Sequence, residues 1–340
     1  MKILLSGATG FVGSAVLDQL VTAGHTVRIL ARDPLSAGHI RKKYNAEIFH
    51  GNILNAKSLA GCADGMDAVV HLVGVIAEVG ENTFERVHAQ GTQSLVAEAK
   101  KAKVKRFIHM SALGTRANAR SKYHQSKWEA EEAVRASGLD WTIFRPSIIY
   151  GPDDEFVNLF ARMMRLPLNV LQLFTLPVIE GGWSHLQPVS VDDVAKCFAV
   201  AVTKPDASKK VYDLCGPTPL RLRDILQTIA GAMGHDTLMV EPPLKKWIGG
   251  WSNFFLPLCV FKGLLIQPRV IMMPVPMEAA KIVALINETF LSKPLLNRDQ
   301  LLMLEEDNTG DPAEAVKDFD LHPIEFCEGI RAYLGGPCPH

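Results

Sequence analysis

The first 24 residues, MKILLSGATGFVGSAVLDQLVTAG, set three glycines between a short apolar run and a longer periodic one. KILLSG reads as a strand and FVGSAVLDQLVTAG as a helix that stops at Gly24. Fixing a glycine costs backbone entropy, so Gly7, Gly10 and Gly13 at the first strand-to-helix turn mean that something approaches closer than a Cβ permits. A phosphate loop has this context. Gly7 permits the tight turn, Gly10 lets backbone N–H groups reach a pyrophosphate, and Gly13 lets the helix lie against the sheet. The bare N–H groups and the dipole at the helix start attract the anion. The expected cradle is Gly7, Thr9, Gly10, Phe11, Val12 and Gly13, with Val73 at the end of the fourth strand beside it.

The alternation continues. HTVRILAR, AEIFHGN, DAVVHLVG, KRFIHMSA and LDWTIFRP read as further strands, separated by helical stretches such as SAGHIRKKYN. Strands apolar on both faces, alternating with helices, predict an α/β protein with a Rossmann-type doubly wound parallel sheet. After Gly151 the pattern breaks. Residues 152–190 read as short strands and loops, VDDVAKCFAVAVTKP as a helix, VYDLCGP as a strand and LRDILQTIAGAMG as another helix. The expected organisation is a dinucleotide-binding domain over 1–151, its core extending into 185–215, and a smaller α/β lobe over 152–340 for substrate or interaction. Within that lobe, residues 243–286 are apolar and basic: Lys245, Lys246, Lys262, Arg269 and Lys281 stand against one acid, Glu278. Such a stretch suits a membrane interface or a packed insertion. The segment from Gln300 to Asp320 is acidic and reads as a solvated face.

Bulk properties narrow the function. Lys plus Arg and Asp plus Glu each number 36, and this balance excludes a general nucleic-acid binder. The cysteines at 62, 197, 215, 259, 327 and 338 form no C-x-x-C pair, which argues against a zinc ribbon or a disulfide scaffold and fits a reducing compartment. No run approaches the roughly 18 apolar residues of a spanning helix, and the first residues are too short for a signal peptide. The expected location is the cytoplasm, or one side of a membrane.

The second strand ends Arg28-Ile-Leu-Ala31-Arg32-Asp33. An NAD site usually sets an acid here against the ribose 2′-OH, whereas a guanidinium suits a 2′-phosphate, so Arg32 predicts NADP over NAD, with Asp33 one place further on. Tyr123 and Lys127, four apart in KYHQSKWEAEEAVRASG, share a helix face. A phenol of pKa near 10 is a poor base at neutral pH, and a neighbouring ammonium favours its ionised form. The pair can trade a proton with a carbonyl or alcohol while a nicotinamide exchanges hydride. Ser111, at the end of the fifth strand, would hold the same oxygen by a hydrogen bond. His71, His109 and His124 read as packed residues. Asp192 and Asp193 read as acids meeting a helix dipole rather than as a metal pair, and no metal site is expected.

The G-x-x-G-x-x-G spacing resembles the extended and atypical branches of the short-chain dehydrogenase/reductase superfamily, and Ser111, Tyr123 and Lys127 resemble its Ser–Tyr–Lys triad. The resemblance implies that Lys127 also reaches the nicotinamide ribose. It implies that Asn52 and Ile53 lie beside the adenine, Asn52 replacing a common Asp, and that Pro146 and Ile149 in RPSIIYGP line the nicotinamide side. VVHLVGVIAE, HMSALG, QPVSVDDVA, VYDLCGP and the tail from LLNRDQ to GIRAYL are similar to bacterial relatives of the nucleotide-binding accessory subunit of respiratory complex I. Two functions follow. One is an NADP-dependent oxidoreductase or epimerase acting on an unidentified carbonyl or alcohol. The other is a non-catalytic NADPH-holding scaffold or redox sensor, peripheral on the inner membrane with a respiratory complex. No motif names the substrate, and no seam sets an oligomeric state.

Overall fold

Leu4 buries on one face of the first strand while Ile3 and Leu5 bury on the other, so this strand sits in a sheet covered twice. The computed structural model describes residues 1–35, 37–165, 173–239, 269–290 and 297–335. The first half runs β1 (Lys2–Ser6), α1 (Phe11–Thr22), β2 (Thr26–Ala31), α2 (Gly38–Tyr44), β3 (Glu47–His50), β4 (Ala68–His71), α3 (Gly91–Lys101), β5 (Arg106–Met110), α4 (Lys122–Arg135) and β6 (Asp140–Pro146). It continues with β7 (Ile149–Tyr150), α5 (Phe156–Arg165), β8 (Leu173–Ile179), β9 (His185–Leu186), β10 (Val189–Ser190), α6 (Val191–Ala201), β11 (Lys210–Leu214), β12 (Leu220–Arg221) and α7 (Leu222–Ala232). The last elements are β13 (Asp236–Met239), β14 (Arg269–Val275), α8 (Met277–Phe290), α9 (Arg298–Leu304), α10 (Ala313–Phe319) and α11 (Phe326–Leu334).

Seven strands form one parallel sheet in the order β11-β6-β5-β4-β1-β2-β3. The chain therefore winds outward in both directions from β1, and the switch point falls between β1 and β4. Ligands bind in such sheets at the carboxyl ends of these strands. Helix α1 packs beside α6 over one face and α3 beside α4 over the other. Residues beyond 200 thus complete the sheet through β11, which pairs with β6.

A second core gathers Val157, Ile225, Ile229, Val270, Met272 and Phe326 around the small parallel sheet β13-β14-β8. Helix α5, within the stretch read as loops, presents Val157, Ala161 and Met164 to this core at helical spacing. Its start is built by Asp154, whose carboxylate accepts the N–H groups of Gly151 and Val157 and the hydroxyl of Tyr333.

Two readings need correction. The acidic segment is not merely a solvated face. Glu306 forms a forked pair with Arg116, Glu305 pairs with Arg120, and Asp318 holds Lys210 and Tyr212. Its charges look self-contained in sequence because their partners lie far away. Cys62, Cys197 and Cys215 are free and buried, but Cys327 is disulfide-bonded, so scattered spacing did not exclude a cross-link. Most of the apolar basic stretch 243–286, including Lys245, Lys246 and Lys262, lies outside the described residues.

Candidate cofactor and catalytic site

Gly7 adopts φ +87, the left-handed region, and a Cβ there would stand 3.2 Å from the Leu72 carbonyl carbon and the Val73 nitrogen. A Cβ on Gly13 would lie 1.9 Å from the Gly7 oxygen, so no side chain is admissible where α1 crosses the loop. Gly10 donates to Gly7 O at 3.1 Å and forms the N-cap of α1 without any side-chain cap. Thr9 and Gly10 are exposed, Phe11 and Val12 half-buried. The start of α1 is therefore an uncapped, accessible row of N–H donors, and this cradle fits a dinucleotide pyrophosphate. Phe11 packs against Gly151, where a Cβ would be 3.0 Å from the ring.

The other expected contacts ring the same strand ends. Arg32 is exposed at the end of β2 with no ion pair among the described residues, while Asp33 accepts the Leu35 N–H at 2.9 Å. Asn52 closes β3. Its Oδ1 accepts the Leu54 N–H, and its own N–H donates to Ser58 Oγ. Ile53 is buried against Gly91. Pro146 ends β6 and accepts from Leu113 N at 2.9 Å, and Ile149 is half-buried in β7.

Helix α4 carries the expected pair, Tyr123 and Lys127. Lys127 is 2 % exposed, and its Nζ donates to Met110 O at 3.1 Å, next to Ser111. Burial lowers its pKa from 10.5 to about 8, with the Glu131 carboxylate one turn further along partly opposing. A Cβ on Gly74 would be 3.0 Å from Nζ, so the chain after β4 lies directly against the ammonium. Tyr123, one turn earlier, is half-buried, with Phe84, His88 and His124 set edge-on around its ring. Burial, and then the charge of Asp299, push the phenol up to about 12. Ser111 is buried. Its N–H donates to Phe144 O, and among the described residues its hydroxyl has only a long 3.4 Å contact to Thr115 Oγ1.

Sequence reasoning missed several supports. A π-helical turn, Glu85–Gln90, precedes α3 and turns His88 inward. The Val75 N–H occupies His88 Nε2 at 3.0 Å, so the proton sits on Nδ1 and donates to Ser126 Oγ, which donates to the Tyr123 carbonyl. Glu131, fully buried, holds Arg145 through two contacts and Arg135 through a third, tying α4 to β6. His71 bonds Ser6 and Thr92, while His109 has no partner for either ring nitrogen among the described residues. Burial depresses both, so the reading as packed neutral residues fits. Asp192 and Asp193 stand in the first turn of α6, capped by Ser190, and no metal-binding cluster occurs among the described residues.

A family model described as NAD(P)H-binding matches residues 7–159. The chain is 30% identical over 261 residues to mitochondrial NADH dehydrogenase [ubiquinone] 1 alpha subcomplex subunit 9 of Rattus norvegicus, covering 75% of this chain and 67% of that protein. It belongs to the NAD(P)-binding family of that complex I subunit. The chain is also similar to a ceramide reductase of Caulobacter vibrioides, 33% identical over 195 residues, 57% of this chain and 58% of that one. The matches span about two thirds or less of these relatives' length. A dTDP-glucose 4,6-dehydratase from Streptomyces venezuelae superposes with TM-score 0.67 at 20% identity, covering 98% of this chain and 96% of that one, which shows the shared epimerase/dehydratase fold. In this chain an open glycine cradle and the side chains of Ser111, Tyr123 and Lys127 lie at the carboxyl ends of the same sheet.

Proposed function

We propose that this member of the subunit 9 family is an NADPH-dependent reductase of a carbonyl on a lipid-like substrate. The carrying observation is the convergence of Lys127 on Met110 O beside Ser111, with Tyr123 one turn away, at the strand ends faced by the glycine cradle. When bound, the reduced dinucleotide supplies the hydride. Tyr123, whose phenol stays protonated at neutral pH, donates its proton to the oxygen that becomes an alcohol. Ser111 holds that oxygen through its hydroxyl, and the Lys127 ammonium stabilises the phenolate left behind and meets the nicotinamide ribose. Pro146 and Ile149 line the nicotinamide side, and Asn52 and Ile53 the adenine. Arg32 supports NADPH over NADH because its guanidinium has no competing acid among the described residues, while the nearby Asp33 carboxylate is engaged with its own turn.

The substrate class rests on two supports. A cavity of about 320 Å³ sets the apolar side chains Trp183, Leu222, Met277 and Leu304 beside the acids Glu180 and Asp307. Glu305, also on its wall, pairs with Arg120, three residues ahead of Tyr123. The relative named ceramide reductase points the same way. The test is NADPH consumption with long-chain ketones. Tyr123→Phe is expected to slow it on the order of 100-fold while NADPH binding persists. Equal rates in both proteins would refute the assignment.

A second reading, a nucleotide-holding subunit peripheral on an inner-membrane respiratory complex, is favoured by the family relationship and by Ile282 and Val283 of α8, 61% and 51% exposed. No helix among the described residues is long and apolar enough to cross a membrane. This reading predicts retained NADPH, no turnover in either form, and flotation with anionic vesicles.

A further inference from the structure

Helix α1 begins without a side-chain cap, whereas α4 begins fully occupied. Ser121 Oγ accepts the His124 N–H at 3.1 Å. The two donors before it are taken by a residue from the far end of the chain: Asp299 accepts the Lys122 N–H at 2.7 Å through Oδ1 and the Tyr123 N–H at 3.1 Å through Oδ2. Asp299 is placed by α9, whose own start is locked by a capping box between Asn297 and Gln300. The segment then continues as a strap across the site. Glu305 and Glu306 pair with Arg120 and Arg116, and Asn308 joins Ser147 and the Leu113 carbonyl.

Resting on the reductase reading above, we propose that Asp299 is a positioning residue: its carboxylate fixes the first turn of the catalytic helix and keeps Tyr123 a proton donor rather than a base. A carboxylate bonded to the backbone of a phenol-bearing residue opposes a second negative charge there. The groups facing Tyr123 are His88 from the π turn, His124 and Lys127 from its own helix, and Asp299 from α9, with the Arg116–Glu306 pair beside His124. His88 and His124 are held neutral by burial, so beyond burial itself the charge that raises the phenol is that of Asp299. A site biased this way favours carbonyl reduction over alcohol oxidation.

The test uses the full chain labelled with 13C at tyrosine Cζ and followed by NMR through a pH titration, with Tyr123→Phe identifying the resonance. Asp299→Asn keeps an acceptor and removes the charge, and Tyr123 is expected to ionise about one pH unit lower. Asp299→Glu is expected to move back toward the parent. An unchanged Tyr123 titration in a folded Asp299→Asn variant overturns the proposal. A variant-free check is amide hydrogen exchange: Lys122 and Tyr123 N–H groups, normally unprotected at a helix start, are expected to exchange slowly, and fast exchange also overturns it. These readouts need no turnover. A shifted phenol with no effect of Tyr123→Phe on NADPH consumption would sink the reductase reading and leave the Asp299 placement standing.

Discussion

Lys127 carries its ammonium where water does not reach, and the protein is less stable for it. Its pKa falls from 10.5 to about 8 on folding, first by burial. Because the folded value lies below the unfolded one, the penalty is full below pH 8 and disappears as pH rises to 10.5. Lys127→Met is therefore expected to stabilise the chain at pH 7 by roughly 1–3 kcal/mol in urea unfolding, while NADPH turnover is lost. Gly13 is the opposite case. Alanine there would place a methyl 1.9 Å from Gly7 O, so Gly13→Ala is expected to lower stability by about 1–3 kcal/mol and to abolish nucleotide binding, read by urea midpoint and titration. Arg32→Ala is expected to weaken NADPH by about ten- to a hundredfold, the loss of a charge-assisted contact, and to leave NADH nearly unchanged. Equal losses would show that Arg32 does not read the 2′-phosphate.

Strands β4 and β5 and the π turn place His71, His109 and His88 in one buried layer beneath Lys127. Burial, reinforced by neighbouring charges, lowers His71 to about 3, His88 to about 2 and His109 well below 6.5. The unfolded chain binds protons on all three below pH 6.5 while the folded one does not, so stability is present above that pH and is lost on acidification. Each contributes a slope of about 1.4 kcal/mol per pH unit. Among the described residues His109 bonds nothing on either nitrogen, so His109→Leu is expected to leave stability at pH 7 little changed and to flatten the acid limb in urea unfolding at pH 4–7. An equally steep limb would contradict the layer's role. The regular elements of this half were legible because short apolar runs and period-3.6 helices write themselves locally: KILLSG, HTVRILAR and LDWTIFRP sit in β1, β2 and β6. The π turn was not, because an extra residue per turn leaves no compositional mark at Glu85–Gln90. Helix α5 was hidden because it pairs a buried Asp154 with a start that reads as a loop, DDEF.

At the scale of the molecule, chain order and spatial order part company. The tail from Asn297 to Gly310 contacts the segments that hold Ser111, Tyr123 and Pro146, far away in sequence. Arg116 and Glu306 are 190 positions apart, and no local pattern signals such a pair. The acids were visible, but their partners were not: Ser111, Tyr123 and Lys127 stood out as candidates from local pattern, whereas the distant residues that hold their segments left no local mark. The glycine loop was readable throughout, because its cause, a close approach, is itself local. Everything assigned to the site depends on that loop gripping a dinucleotide. The most direct measurement is isothermal titration calorimetry of the full chain with NADPH and NADH. A single saturable NADPH site, lost in Gly13→Ala and weakened selectively in Arg32→Ala, is predicted. No heat from either nucleotide up to millimolar concentration, with the protein folded, would contradict it.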